Sequence, residues 1–203
     1  MITLYHAPQS RSTRIIGLLE ELGVPYTIRP VSIFRPMTGE GHGDPANPHP
    51  DKRVPAIEHD GQLLAESVAI TLYLCDLYAD RGLAPQPGDA RRGAYLTWMI
   101  WYAAEFEPAM FAAFAGELDA SPLKQRSYDA VIHRIETALA KAPYMLGDKY
   151  SAVDFLLASA LAFGRHTFPA GDAIDAYIER CARPALVRGQ ALDNASGVQT
   201  VAA

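Results

Sequence analysis

Asp60-Gly61 stands between two short runs, residues 56–59 and 62–65, that read as strands. Asp-Gly between such runs is a strong signal for a two-residue hairpin, because the turn needs backbone angles these residues tolerate. Antiparallel pairing is therefore expected there. The preceding chain demands the opposite. Residues 2–5 (ITLY) and 26–31 (YTIRPV) read as strands, and a helical stretch from Thr13 places Ile15, Ile16, Leu18, Leu19 and Leu22 on one face. A β-α-β unit of this kind closes as a right-handed parallel crossover. The front of the chain must satisfy both, so a mixed four-stranded sheet with helices packed on it is expected.

The punctuation fits that sheet. Gly23 suits a helix C-terminus, with Pro25 close behind, and Pro30 suits an edge strand. Residues 34–53 carry four Pro and three Gly and read as a loop. Glu66 and Ser67 open a second helix running to about Tyr78. Residues 80–90 (DRGLAPQPGDA) form a linker, and beyond them the pattern is helical throughout. The expected organisation is residues 1–79, an α/β domain; 80–90, a linker; and 91–203, an all-helical domain with helices near 91–116, 123–141, 152–165, 173–181 and 184–192. Residues 94–104 (AYLTWMIWYAA) are apolar nearly all round, which predicts burial on more than one side. Ser151 and Asp154 form a capping box, which explains Asp154 as a folding residue. The tail from Asp193 is small and polar and is expected to fray.

Composition narrows the function. Of 203 residues, 49% are hydrophobic, enough for a substantial core, and the net charge is −5 with no Lys/Arg run longer than two. No nucleic-acid footprint follows from that charge. No apolar stretch reaches membrane-spanning length, and the N-terminus lacks the features of a secretion signal. Cys75 and Cys181 lie far apart in helical patterns, which suits a reducing cytoplasm better than a disulfide framework. His42, Asp44 and His49 match no standard metal-ligand spacing, so no metal is expected.

Several features now stand in one order: Ser10 after the first strand, VPAI at 54–57, ES at 66–67, a Pro/Gly linker, and SAVD at 151–154 in a helical second half. Together they resemble the cytosolic glutathione transferase superfamily over about residues 1–190. The resemblance implies a thioredoxin-like N-terminal domain followed by an all-helical C-terminal domain. It implies glutathione as co-substrate, a small apolar electrophile as second substrate, and a homodimer. It further implies a cis bond before Pro55, with the Val54 backbone offered to the cysteinyl unit.

Residue chemistry supports the implied ligand. Ser67 and the free N–H groups of its helix start suit a carboxylate, and Glu66 suits an ammonium. Ser67 as a simple cap explains the same residue. Arg53 or Lys52 is placed to meet a second carboxylate; solvated surface charge explains both equally. A thioredoxin-type redox protein carries Cys-x-x-Cys after its first strand, and this chain carries HAPQSRSTR. A hydroxyl there donates to a thiolate that the ligand brings. Ser10 is the leading candidate and Ser12 the alternative, since Ser12 is suited to cap a helix starting at Thr13. Arg11 adds positive potential in the same place. The second-substrate pocket is expected among Trp101, Tyr102, Phe106 and His166, with Trp98 and Phe163 as neighbours; an aromatic stripe of this spacing also makes ordinary core. The expected activity is conjugation of the thiolate to hydrophobic electrophiles. The alternatives are a non-catalytic interaction module of the same fold, or glutathione-dependent peroxide reduction or ether cleavage.

Overall fold

The computed structural model describes residues 1–198. Four strands, β1 (Ile2–His6), β2 (Tyr26–Pro30), β3 (Ala56–His59) and β4 (Gln62–Ala65), form one sheet in the order β2-β1-β3-β4. β1 and β2 are parallel, Ile2 opposite Tyr26. β1 and β3 are antiparallel, as are β3 and β4, which turn at Asp60-Gly61. The mixed sheet expected from the hairpin and crossover is present. Gly61 and Asp60 both have positive φ, 76° and 50°, as that turn requires.

Helix α1 (Arg11–Leu22) buries Ile15, Ile16, Leu18, Leu19 and Leu22 completely or nearly so. It ends at Gly23 in the left-handed region, φ 64°, whose N–H reaches back to Leu19 and Glu20. The helix begins two residues earlier than its apolar pattern suggests. Ser10 is the N-cap, and the box is closed by Thr13, whose hydroxyl accepts the Ser10 N–H. Thr at that position replaces the Glu or Gln that makes such boxes legible. Helix α2 (Ser67–Leu77) follows β4 directly.

The chain divides into two compact units, Met1–Tyr78 joined by the chain from Arg183 onward, and Ala79–Ala182. This corrects the expected boundary at the C-terminal end. Helix α8 (Pro184–Val198) packs on α1 and belongs with the sheet. The crossing is close: a Cβ at Gly189 would stand 2.8 Å from the Gly17 backbone. Salt bridges tie the same pair, Arg188 to Glu20 at 2.8 Å and Arg183 to Glu21 at 2.5 Å. The expected fraying from Asp193 is also corrected, because Asp193 is helical and wholly buried. Residues 199–203 of that tail lie outside the described residues.

The second unit holds α3 (Arg92–Trp101), a π-helical turn at Tyr102–Phe106, α4 (Glu107–Phe114), α5 (Pro122–Leu139), α6 (Ala152–Phe163) and α7 (Asp172–Arg180). Asp154 sits fully buried at the start of α6. Its carboxylate accepts the N–H groups of Ser151 and Met145 and the hydroxyls of Ser151 and Tyr177, at 2.8–2.9 Å. Burial raises its pKa, and these four donors pull the other way. The capping expectation holds, and the residue also fastens α7 and the 145 region.

Candidate active site

The turn after β1 presents Ser10 and Ser12, and the structure separates their roles. Ser12 is fully buried and Ser10 half-buried. Ser10 Oγ accepts the Ser12 N–H at 3.1 Å and lies 2.7 Å from both the Ala7 carbonyl and Ser12 Oγ. Ser12 Oγ faces His6 Nδ1 at 2.8 Å and accepts the Ala7 N–H at 3.3 Å. The expectation that Ser12 caps the helix is therefore corrected: Ser10 is the cap, and Ser12 is a buried link between Ser10 and His6. Tyr5 points elsewhere, donating its hydroxyl to Glu58 at 3.0 Å. Arg11 is half-buried at the first helical position.

The loop before β3 arranges the remaining candidates. The Val54–Pro55 bond is cis, as the resemblance implied. The β3–β4 ladder starts at Ala56 opposite Ala65, so Val54 precedes it, buried in a cluster with Tyr5, Ala7, Val31 and Ala56. Lys52 donates its ammonium to the Asn47 carbonyl at 2.7 Å. Arg53 is exposed, paired with Asp51 at 2.7 Å and 3.8 Å from Glu66. The two cations thus differ: one braces the loop and the other faces the start of α2.

At that start Glu66 has φ 67°, an unusual conformation for a residue with a side chain, and its carboxylate is 72% exposed. Ser67 is buried, and its hydroxyl has no hydrogen-bond partner. A buried hydroxyl left unpaired costs about 1–3 kcal/mol. It lies beside the unpaired N–H groups of an 11-residue helix, an arrangement suited to an anion. The simple-cap reading of Ser67 is not what the structure holds, since Glu66 occupies the cap position.

The aromatic candidates resolve differently. Tyr102 and Phe106 are buried at 2% and 0% exposure, and Phe106 stacks on Tyr102 and Phe168. Both are core of the helical unit, which corrects their expected place on a pocket wall. Trp101 is buried as well, with the Arg134 guanidinium 4.8 Å from its ring and 4.7 Å from that of Trp98. His166 is exposed and packs edge-on against Phe114. Within this unit a shallow groove of about 530 Å³ is lined by Trp98, Arg134, Lys141 and Tyr144 among others. Among the described residues no cluster of three or more His, Cys, Asp or Glu is placed to hold a metal, and no helix is long and apolar enough to cross a membrane.

Two residues at the site escaped the sequence reading. His6 is wholly buried, with Nε2 3.2 Å from Asp193 Oδ1. Asp193 also accepts the Gln9 N–H and, at 2.5 Å, the Thr13 hydroxyl. Nothing in the sequence brings residue 193 to residue 6; only the α1–α8 crossing does.

Residues 4–82 match the family model described as glutathione S-transferase, N-terminal domain. Glutathione S-transferase 3 of Schizosaccharomyces pombe is 27% identical over 175 residues, covering 85% of this chain and 70% of its own length. Glutathione S-transferase PARB of Nicotiana tabacum is 27% identical over 212 residues, covering 93% and 96%. Among solved structures, a glutathione transferase from Methylococcus capsulatus strain Bath superposes with a TM-score of 0.76 at 29% identity, over 96% of this chain and 99% of that one. A sphingomonad glutathione S-transferase complexed with glutathione shares the fold, with a TM-score of 0.79 at 24% identity over 95% and 98%. The matched model runs from within β1 through β4 and takes in α1 and α2, and the structural likeness extends over the helical unit: residues 4–82 form a glutathione S-transferase N-terminal domain, and the chain as a whole is similar to glutathione transferases in sequence and fold.

Proposed function

We propose that the chain is a serine-using glutathione transferase that conjugates glutathione to small hydrophobic electrophiles. The unpartnered, buried Ser67 hydroxyl at the start of α2 carries this reading. It is a polar group held ready for a ligand, beside backbone N–H groups that favour an anion. The γ-glutamyl carboxylate fits Ser67, and its ammonium fits Glu66. Val54 offers its backbone to the cysteinyl unit. Arg53 serves the glycine carboxylate, because Lys52 is engaged with Asn47.

Ser10 is the hydroxyl for the thiolate, being the more accessible of the pair and capping the N-terminus of α1. A donor and a helix N-terminus both lower a thiol pKa. A drop of ~2 units from ~8.5 raises the thiolate fraction at pH 7 about 25-fold. Nucleophilicity falls with pKa, returning about 8-fold of that. The net gain of about 3-fold leaves most of the acceleration to holding the electrophile beside the sulfur. The exposed apolar Leu96 and Ile100 of α3 fit contact with a second copy, and buried Cys75 and Cys181, which form no disulfide, fit a cytoplasmic setting.

Calorimetric titration with reduced glutathione at pH 7, followed by turnover with aromatic halides, tests this. Saturable binding with turnover is expected. Binding without turnover on any electrophile or peroxide favours an interaction module, and absence of binding overturns the ligand assignment.

A further inference from the structure

We propose that His6, backed by Asp193, is a positioning residue that receives the proton of the glutathione thiol through Ser10 and Ser12. This rests on the reading of Ser10 as the thiolate partner. Four side chains make a continuous inward path. Ser10 Oγ lies 2.7 Å from Ser12 Oγ, Ser12 Oγ 2.8 Å from His6 Nδ1, and His6 Nε2 3.2 Å from Asp193 Oδ1. All but Ser10 are fully buried.

The hydrogens on this path can be assigned. A carboxylate only accepts, and Asp193 already accepts from Gln9 and Thr13. His6 Nε2 therefore carries its hydrogen toward Asp193. The approach is not aligned as a hydrogen bond, so Asp193 acts as a facing charge. In the neutral ring Nδ1 is then an acceptor, and Ser12 donates to it. Ser10 Oγ has a single hydrogen, and two oxygens stand at 2.7 Å to accept it, the Ala7 carbonyl and Ser12 Oγ. At rest that hydrogen points inward, away from any ligand.

Rotation of the Ser10 hydroxyl alone would turn its hydrogen outward but leave the 2.7 Å contact with Ser12 Oγ without one; keeping that contact hydrogen-bonded reverses the chain, and with Nε2 already protonated the reversal takes one added proton. The thiol supplies it. The S–H bond breaks and its proton passes to Ser10 Oγ; the Ser10 proton passes to Ser12 Oγ, and the Ser12 proton to His6 Nδ1. The products are a thiolate accepting from Ser10 and an imidazolium facing Asp193. Charge is conserved, nothing is oxidised or reduced, and no proton reaches solvent. Burial lowers the His6 pKa, so the ring is neutral at pH 7 before the ligand binds, and the Asp193 charge opposes that lowering and favours the imidazolium. The groups facing His6 are Ser12 of α1, which is neutral, and Asp193 of α8.

A purely structural role is the competing explanation, since Asp193 also anchors Gln9, a residue at φ 52°. Counting protons separates the two. Protein is saturated with reduced glutathione at pH 7 in weakly buffered indicator dye, and thiolate is measured by its ultraviolet band. The wild type should release close to no proton per thiolate formed. Ser12→Ala and His6→Phe should release about one, with less thiolate. If His6→Phe does not fold, Ser12→Ala decides alone. One proton released per thiolate in the wild type, or a wild-type count in Ser12→Ala, overturns the relay. Ser10→Ala keeps the two readings apart: a wild-type thiolate band there removes Ser10 itself, whereas loss of the band with an unaltered Ser12→Ala count removes only the relay.

Discussion

Ser10 and Ser12 hold their hydroxyl oxygens 2.7 Å apart, yet only Ser10 has access to solvent. Two residues in the same turn therefore have unlike duties. Ser10→Ala should return the bound thiol toward its ordinary pKa, leaving a few per cent thiolate at pH 7. The lost cap should also cost about 1 kcal/mol of stability. Titration of the ultraviolet thiolate band reads the first effect, and urea denaturation the second. A thiolate band that titrates as in wild type would assign Ser10 to capping alone.

Ser67 predicts an unusual pair of outcomes. Its hydroxyl is buried without a partner, so Ser67→Ala should leave stability unchanged or slightly raised. Glutathione affinity should fall about 10-fold, the equivalent of one lost hydrogen bond to a charged group. Calorimetry and a melting curve on the same preparation check both. A clear loss of stability with unaltered affinity would make Ser67 structural.

Gly189→Ala tests the α1–α8 crossing. Ala is favoured over Gly by about 1 kcal/mol in a helix interior, so propensity alone predicts a gain. The added Cβ would meet the Gly17 backbone at 2.8 Å, and overpacking of this kind costs about 1–3 kcal/mol. A lower melting temperature is the expected net result. A rise would mean that the helices part without penalty.

Asp154 carries a pH signature. Burial raises its folded pKa above the unfolded value, so the protonated form is favoured in the fold. Its contribution is then complete below the unfolded pKa of about 3.9 and is lost as pH rises through the folded value. Compared with Asp154→Asn, the wild type should show its largest relative stability below about pH 4 and a margin that shrinks as pH rises. Chemical denaturation as a function of pH reads it directly, and a margin that grows with pH would reverse the sign of the shift.

Local chemistry explains what could be read from the sequence. Asp60-Gly61 and the β-α-β pattern specified the mixed sheet, because turn geometry and crossover handedness act over a few residues. The Ser151–Asp154 box was legible for the same reason. The start of α1 was missed because Thr13, not Glu or Gln, closes its box. The placement of α8 was hidden for a different reason. Its buried face is Ala185, Gly189 and Asp193, residues at helical spacing that carry no apolar signal. Close approach of two backbones, the Arg188–Glu20 ion pair and the hydrogen bonds to buried Asp193 hold that helix, rather than a broad apolar face. With α8 misplaced, Asp193 and therefore His6 were invisible as site residues. Tyr102 and Phe106 illustrate the converse, since an apolar aromatic stripe reads alike for core and pocket.

The measurement that bears most directly on the account is the ultraviolet spectrum of the protein saturated with reduced glutathione at pH 7, set beside Ser10→Ala. A thiolate band in the wild type that is lost in the variant is the predicted result. A wild type that binds glutathione and shows no such band would contradict it.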